Sequence, residues 1–342
     1  MACGKRLEKW QSSEMSQGCQ EGRGAMMPEV ITLGEAMVLF SPQEPGSLKH
    51  VHSFSKRVGG AESNLAIALA RLGHAVGWIG KVGRDPFGEF VLSTIRGEGV
   101  DVSQAIFADG LPTGIMFKEQ AGFNETNVYY YRKESAASYL GPVNLHPEYF
   151  STAKFLHITG ITPALSGSCL ETVKYALQLA KQYQIKVSLD PNVRLKLWSA
   201  EQAKSTLLSL LKQVDFCLPG QDEAYLLTGR QDPEEQADAL LALGPTCVVV
   251  KLNDKRVYYK SASQAGVAPA FRVEEIVDTV GAGDGFAAGF LSGLLDGLDL
   301  PQAVQRGCAV GAFALRSKGD FEGYPTRREL DVILGRKRVI QR

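Results

Sequence analysis

Three small residues and a carboxylate stand where a loop turns into an apolar helix, in residues 278–286 with the sequence DTVGAGDGF. Gly281 and Gly283 permit backbone conformations closed to residues with a Cβ atom, so successive N–H groups can converge on one point. A helix that begins near Ala282 would direct its unpaired N–H groups and positive dipole end at a bound anion. Asp284 would repel a phosphate there, unless it accepts the proton of an attacking hydroxyl. The segment predicts a phosphate-binding helix terminus with a general base, and the plainer alternative is a glycine-rich helix start.

A second glycine-rich turn, Gly59-Gly60-Ala61, precedes the first long helical pattern and is followed by Asn64. Paired glycines let the backbone approach a ligand closely. The simpler interpretation is a tight turn from a strand into a helix, so this turn alone is a weak indication of a binding site.

Two arginines and a tyrosine indicate the charge of the ligand. Strand alternation places Tyr130 and Arg132 on one face and Tyr131 on the other. Arg194 follows a predicted core strand, at the end where α/β folds place ligands. Because a guanidinium offers a bidentate fork to a carboxylate, two converging arginines would suit an acidic substrate better than a neutral sugar. The alternative is an aromatic-rich strand with a solvated arginine.

The elements that must position these residues follow an α/β pattern from Val30 onward, with short β-rich runs alternating with amphipathic segments. Buried parallel strands are predicted at 154–158, 185–189, 214–218 and 247–250. A helix is predicted at 63–72, ended by Gly73. These features predict one doubly wound sheet, while about 36–56 and 112–133 lack intervening helices and predict a small separate sheet.

Composition narrows the possible partners of the chain. Its 342 residues are 44% hydrophobic, enough for a large core, and 37 basic residues balance 37 acidic ones. No global basic field attracts nucleic acid or an anionic membrane, and no apolar run approaches ~18 residues. The six cysteines are scattered without Cys-x-x-Cys pairs, as in reduced cytoplasmic proteins.

The N-terminal residues 1–27 are polar and lack the apolar core of a signal peptide. We expect either a disordered tail or a start codon assigned too early, since Met26 and Met27 stand immediately before the first strand pattern.

The segment 278–286 and the Gly-Gly turn about 220 residues before it together resemble the two signatures of the ribokinase-like (PfkB) carbohydrate kinases. The resemblance implies a kinase domain over residues 28–336, a doubly wound and mostly parallel sheet, and a small β-sheet lid that often packs against its counterpart in a dimer. It implies ATP and Mg²⁺ as requirements, and allows K⁺ at Asp278. It assigns the catalytic base to Asp284, the anion hole to Gly281, Ala282 and Gly283, and sugar contacts to Gly59, Gly60, Ala61 and Asn64.

The resemblance narrows to the branch of the family that phosphorylates 2-keto-3-deoxygluconate, a sugar acid. It is carried by the sequences YYRK at 130–133, GITPALS at 160–166 and DPNVRLKLW at 190–198. By this likeness Tyr130, Arg132 and Arg194 hold the substrate. Met116 stands where some relatives carry a tyrosine, which puts one hydroxyl contact in doubt.

The nucleotide side departs from the family pattern in two places. Gly220 replaces the asparagine of the Asn-x-x-Glu motif, although Glu223 is retained and is expected to bind Mg²⁺ through water. The family's usual Lys-x-Gly-x-x-Gly turn corresponds to residues 251–256 of this chain, where Asn253 and Arg256 replace the two glycines. Asn253 tolerates the left-handed conformation, whereas Arg256 would adopt it at a steric cost. The resemblance still assigns ATP contacts to Gly220, Glu223, Lys251, Asn253, Gly281 and Gly283.

Two other functions stay open at this point. One is a kinase of the same fold for a neutral sugar or a nucleoside, and the other is a sugar-acid-binding regulator that has lost turnover. For each of these functions we expect small-molecule ligands and a homo-oligomer formed through the lid. We also expect the protein to be cytoplasmic.

Overall fold

The computed structural model describes residues 27–44, 46–120, 126–271, 273 and 275–336. Apart from Met27, the N-terminal segment 1–27 lies outside the described residues. The strands are β1 Val30–Leu33, β2 Met37–Pro42, β3 Phe54–Gly59, β4 Val76–Ile79, β5 Lys81–Gly83, β6 Ile106–Ala108, β7 Ile115–Gln120, β8 Thr126–Tyr131, β9 Phe155–Thr159, β10 Lys186–Asp190, β11 Phe216–Cys217, β12 Cys247–Lys251, β13 Val257–Ser261 and β14 Ala265–Ala268.

The helices are α1 Ala61–Arg71, α2 Pro86–Gly97, α3 Pro147–Phe150, α4 Ile161–Leu165, α5 Gly167–Gln182, α6 Ala200–Leu211, α7 Gln221–Thr228, α8 Pro233–Leu241, α9 Ala282–Leu295, α10 Leu300–Ala314 and α11 Arg327–Ile333. Two short 3₁₀ turns cover Ala136–Tyr139 and Pro142–Asn144. Within the described part of the chain, no helix is long and apolar enough to cross a membrane.

The main sheet has eight strands in the order β14-β13-β12-β11-β10-β9-β1-β4. The strands from β12 to β4 are parallel, and β13 and β14 add an antiparallel edge. All of β1, β4 and β9 is buried, as expected for strands covered on both faces. This arrangement confirms the predicted doubly wound, mostly parallel sheet.

Helices cover both faces of this sheet and form two hydrophobic cores. One core packs α1, α9 and α10 against residues such as Trp78 and Val249, and the other packs α5 to α8 against residues such as Val248 and Val250. Successive residues of β12 thus point to opposite cores, which follows from the twofold side-chain period of a strand.

A separate four-stranded sheet has the order β3-β2-β7-β8, and it confirms the predicted small sheet. Strand β2 pairs antiparallel with β3 and parallel with β7, and β7 pairs antiparallel with β8. On its inner face Met37, Leu39 and Met116 form a small apolar cluster with Val128 and Tyr130. This face therefore presents both apolar and aromatic side chains near the ends of the main-sheet strands.

Candidate active site

A cavity of about 380 Å³ brings together residues at or just after the carboxyl ends of β1, β10 and β12, residues of the small sheet, and the start of α9. Most of the predicted site residues line it, namely Gly60, Ala61, Asn64, Met116, Tyr130, Arg132, Arg194, Gly220, Glu223, Lys251, Gly281, Gly283 and Asp284. Gly59, Ala282, Asn253 and Asp278 are not among the lining residues. The cavity lies where open parallel sheets place their ligands.

Asp284 lies in the first turn of α9, and its Oδ2 atom accepts a hydrogen bond of 2.8 Å from Nδ2 of Asn64. Burial raises the pKa of Asp284 to about 7, against the lowering effect of the Asn64 hydrogen bond, while Asp190 raises it further. Asn64, expected at a sugar hydroxyl, thus also orients the carboxylate. A carboxylate with this pKa is matched to proton transfer at neutral pH.

Gly281 caps the amino end of α9 in the left-handed conformation, with φ of 81°. A Cβ atom at this position would lie 1.9 Å from the backbone oxygen of Asp320. The Gly281 carbonyl accepts a hydrogen bond of 2.7 Å from the hydroxyl of Tyr324. Because the first turn of a helix leaves its N–H groups without intrahelical acceptors, this fixed cap directs several donors into the cavity.

Gly283 differs from what its sequence context suggests, because it lies within α9 rather than in a conformation reserved for glycine. A Cβ atom there would meet only Nζ of Lys251, at 3.8 Å. Gly283 therefore keeps open the space between the helix start and the Lys251 ammonium.

Lys251 and Asp190, at the ends of β12 and β10, form a partly buried charged group with Glu223 in the first turn of α7. Nζ of Lys251 lies 2.7 Å from Oδ2 of Asp190. Glu223 accepts backbone hydrogen bonds from Val193 at 2.7 Å and from Gly220 at 2.8 Å. Burial and the Asp190 charge raise the pKa of Glu223, and although burial alone would lower the pKa of Lys251, Asp190 and Glu223 raise it. Lys251 thus pairs directly with Asp190, while Glu223 acts on it only through its nearby charge.

The two arginines are not equivalent. The guanidinium of Arg132 is buried in an ion pair with Glu35, whose Oε1 atom accepts a hydrogen bond of 2.7 Å from Ser135. Arg194 is exposed and makes no ion pair with any residue in the described ranges, and its charge lowers the pKa of Asp284. Both arginines line the cavity, but only the charge of Arg132 is already balanced, by Glu35.

The strand alternation is confirmed, since Tyr130 lines the cavity beside Arg132 while Tyr131 is 65% exposed on the other face. The Cζ atom of Arg132 lies 5.4 Å from the centre of the Tyr130 ring. This stacking fixes both side chains on the cavity wall.

The turn after β12 has a different shape from the one that the sequence suggests. Lys255 takes the left-handed conformation, with φ of 71°, whereas Asn253 and Arg256 do not. Asn253 instead donates hydrogen bonds to Gln221 and Asp222, both at 3.0 Å. Arg256 therefore bears no steric cost, and Asn253 lies at the surface outside the cavity lining.

The cavity is also lined by five charged residues that the sequence motifs do not identify, namely Glu35, Glu62, Lys118, Asp190 and Asp320. Glu62 is fully buried and accepts hydrogen bonds from Thr159 at 2.6 Å and Thr162 at 2.7 Å, and burial raises its pKa. Asp190 stands at the end of a predicted strand and could have been found by that position. No local sequence pattern marks Lys118 or Asp320 as a site residue, because the two side chains meet only in the folded chain.

Comparison with known proteins agrees with this geometry. The model of the pfkB family carbohydrate kinases matches residues 27–327. The chain is 42% identical over 317 residues to the 2-dehydro-3-deoxygluconokinase of Bacillus subtilis (strain 168), covering 92% of this chain and 98% of that protein. It is 34% identical over 328 residues to the 2-dehydro-3-deoxygluconokinase of Thermoproteus tenax, covering 94% and 99%.

A solved structure assigned to ribokinase II from E. coli, in complex with ATP and Mg²⁺, matches with a TM-score of 0.83 at 26% identity, covering 91% of this chain and 100% of that one. Fold, cavity and family model therefore agree over nearly the whole described chain. The chain belongs to the PfkB family of carbohydrate kinases.

Proposed function

We propose that the protein transfers the γ-phosphoryl group of ATP to the primary hydroxyl of 2-keto-3-deoxygluconate and gives the 6-phospho product. The observation that carries this proposal is the partly buried Asp284, with a pKa of about 7, at the start of α9 and in one cavity with Arg194 and Arg132. The names of the B. subtilis and T. tenax relatives support the same substrate.

In this proposal Asp284 accepts the proton of the attacking hydroxyl, and the Asn64 amide holds the carboxylate in place. The N–H groups of Gly281, Ala282 and Gly283 stabilise the charge on the transferring phosphoryl oxygens. Lys251 lies beside the same helix start and adds a fixed positive charge. The wall formed by Tyr130 and the arginines orients the acceptor for in-line attack.

The residues present also fit a magnesium ion. Asp190 and Glu223 offer hard oxygen ligands around an incompletely balanced charge, and Glu223 would act through water. Across the described ranges there is no cluster of three or more metal-ligating side chains, which suits an ion held mainly by water and phosphate. When bound, Mg²⁺ neutralises phosphate charge. We assign the remaining nucleotide contacts to Gly220 and, at the rim, to Asn253.

Arg194 should determine whether the enzyme prefers an acidic acceptor over a neutral one. Its free guanidinium can form a charge-assisted hydrogen bond with the substrate carboxylate, worth about 1.5–3 kcal/mol. Arg194→Ala is therefore expected to raise KM for 2-keto-3-deoxygluconate roughly 10- to 100-fold and to change KM for fructose little. Steady-state kinetics with both acceptors measure this difference.

Lys196→Ala is the matched control, because Lys196 carries the same charge two residues away but bonds the backbone oxygen of Val128 at 3.0 Å. It should leave the preference unchanged. Equal losses for acid and neutral acceptors in Arg194→Ala would contradict the assigned role.

The pH dependence of kcat/KM should reveal the ionisation of the Asp284 carboxylate. Only the ionised carboxylate can accept a proton, so kcat/KM is expected to fall about tenfold per pH unit below pH 7 and to level off above it. Because the Asn64 hydrogen bond lowers the pKa of Asp284, Asn64→Ala should move this acid limb to higher pH. A profile flat from about pH 5.5 to about pH 8 would exclude Asp284 as the titrating base.

Coupled ADP release tests the proposal as a whole, with ATP and Mg²⁺ and with 2-keto-3-deoxygluconate, fructose, ribose and adenosine compared on one preparation. Preference for the acid supports the proposal. Preference for a neutral acceptor keeps the kinase and rejects the substrate. Ligand-dependent stabilisation without any ADP release would indicate the binding regulator instead.

We further propose that the enzyme acts in the cytoplasm and forms a homo-oligomer through the small sheet. The exposed Tyr129 and Tyr131 on the outer face of β8 support this surface, since exposed aromatic side chains favour interfaces. Light scattering of the wild-type chain measures the assembly.

A further inference from the structure

Lys118 reaches from β7 of the small sheet into the region below the start of α9. Its side chain is buried, and Nζ lies 3.1 Å from Oδ2 of Asp278 and 3.1 Å from Oδ1 of Asp320. Burial alone would lower the pKa of Lys118, but Asp320 and Asp278 together raise it. A charged ammonium therefore stands between two carboxylates.

Both carboxylates belong to the support of the anion hole. The second oxygen of Asp278 accepts a hydrogen bond of 3.2 Å from the backbone N–H of Val280, immediately before Gly281. The backbone oxygen of Asp320 lies against Gly281, where a Cβ atom would be 1.9 Å away. The ammonium thus links the two backbone segments that hold the left-handed cap of α9.

A potassium ion at Asp278, which the family resemblance allows, does not fit these residues. One oxygen of Asp278 contacts Lys118 and the other accepts the Val280 N–H, so a second cation at this carboxylate would have to share it with the ammonium. An ion bound here would also face the Lys118 charge at close range with little solvent between them.

We propose that the Lys118 ammonium serves in place of a monovalent cation, so that the kinase works without K⁺ and its anion hole is held by a residue of the small sheet. This inference rests on the proposed kinase function. Lys118 acts through Asp278 and Asp320 and is a positioning residue. Through Lys118 the shape of residues 278–284 also depends on the position of the small sheet.

The first test compares wild-type turnover in K⁺-free buffer, with tetramethylammonium as the only monovalent cation, and in KCl at the same ionic strength. We expect the two rates to agree within about twofold, because the internal ammonium is always present. Activation of the wild type by K⁺ of about tenfold or more would overturn the proposal.

The second test is chemical rescue of Lys118→Ala. This variant should lose at least about tenfold in kcat in the tetramethylammonium buffer, and K⁺ or NH₄⁺ should restore activity with a saturable dependence. Lys118→Gln, which keeps a chain of similar length without the charge, takes its place if Lys118→Ala does not fold. Lys56→Ala is the matched control, since Lys56 lies on β3 of the same sheet but is exposed. Lys56→Ala should show neither the loss nor the rescue.

Thermal unfolding separates this inference from the kinase assignment. K⁺ and NH₄⁺ should raise Tm of the Lys118 variants and leave Tm of the wild type and Lys56→Ala unchanged, whatever acceptor the enzyme phosphorylates. If the wild type phosphorylates none of the tested acceptors, the proposed kinase function is rejected, but the role of Lys118 in stability is not. Lys118 variants with full K⁺-free activity and no cation-dependent Tm would reject the role of Lys118.

Discussion

Asp284→Asn is expected to lose about 10²–10⁴-fold in kcat, with KM for the sugar acid little changed. The asparagine side chain has the same shape and its oxygen can still accept the hydrogen bond from Asn64, so the geometry of the first turn of α9 is preserved. What disappears is the ability to take the proton of the attacking hydroxyl. Steady-state kinetics with 2-keto-3-deoxygluconate measure the loss, and near-normal turnover would contradict the mechanism.

The same variant should become more stable at pH 8, which excludes damage to the fold as the reason for lost turnover. The pKa of Asp284 is raised from 3.8 to about 7, so folding disfavours the ionised form and the cost grows as pH rises through this range. Each unit of pKa shift corresponds to about 1.36 kcal/mol. Removing the charge of Asp284 is therefore expected to raise the free energy of unfolding by up to about 4 kcal/mol above pH 7.

This gain should shrink as pH falls and vanish near pH 4, where Asp284 is protonated in both states. Urea unfolding of wild type and Asp284→Asn at pH 8 and pH 5 measures the difference in the free energy of unfolding. Loss of both turnover and stability would show instead that the variant is misfolded. The expected exchange of stability for activity is typical of a strained catalytic group.

Local patterns in the sequence predict the fold class and several of the elements that the structure contains. The predicted strands at 154–158 and 247–250 lie within one residue of β9 and β12, and α9 begins at the predicted Ala282. These elements are specified by hydrophobic period and by glycine position, which neighbouring residues alone determine. The predicted strand at 214–218 was longer than the observed β11, Phe216–Cys217, because an apolar run does not mark where pairing stops.

The charge pairing of the site could not be derived in this way. The Asn64 and Asp284 side chains are joined by a hydrogen bond across 220 residues of sequence, and Lys118 meets Asp320 across 202. No periodicity links such positions, because their contact depends on how the small sheet sits over the main one. Glu35 is a further example, since its ion pair balances the charge of Arg132 and no local pattern predicts it.

Gly281→Ala is expected to damage both the fold and the anion hole. The residue needs a left-handed φ of 81°, and its new Cβ atom would lie 1.9 Å from the Asp320 oxygen, which is backbone and cannot rotate away. The cap of α9 must therefore move, and the N–H donors of the anion hole move with it. Loss of one such donor commonly costs about 10²–10³-fold in kcat, and we expect at least this loss.

Gly229→Ala separates the two causes, because Gly229 has nearly the same φ, 72°, but no atom within 4 Å of its Cβ position. It should cost about 1–2 kcal/mol of stability from backbone strain alone and leave kcat unchanged. Gly281→Ala should exceed that cost in urea unfolding and lose turnover as well. If the two variants behave alike, the loop around Asp320 yields to the methyl group, and the fixed cap that we assign to the anion hole is not required for phosphoryl transfer.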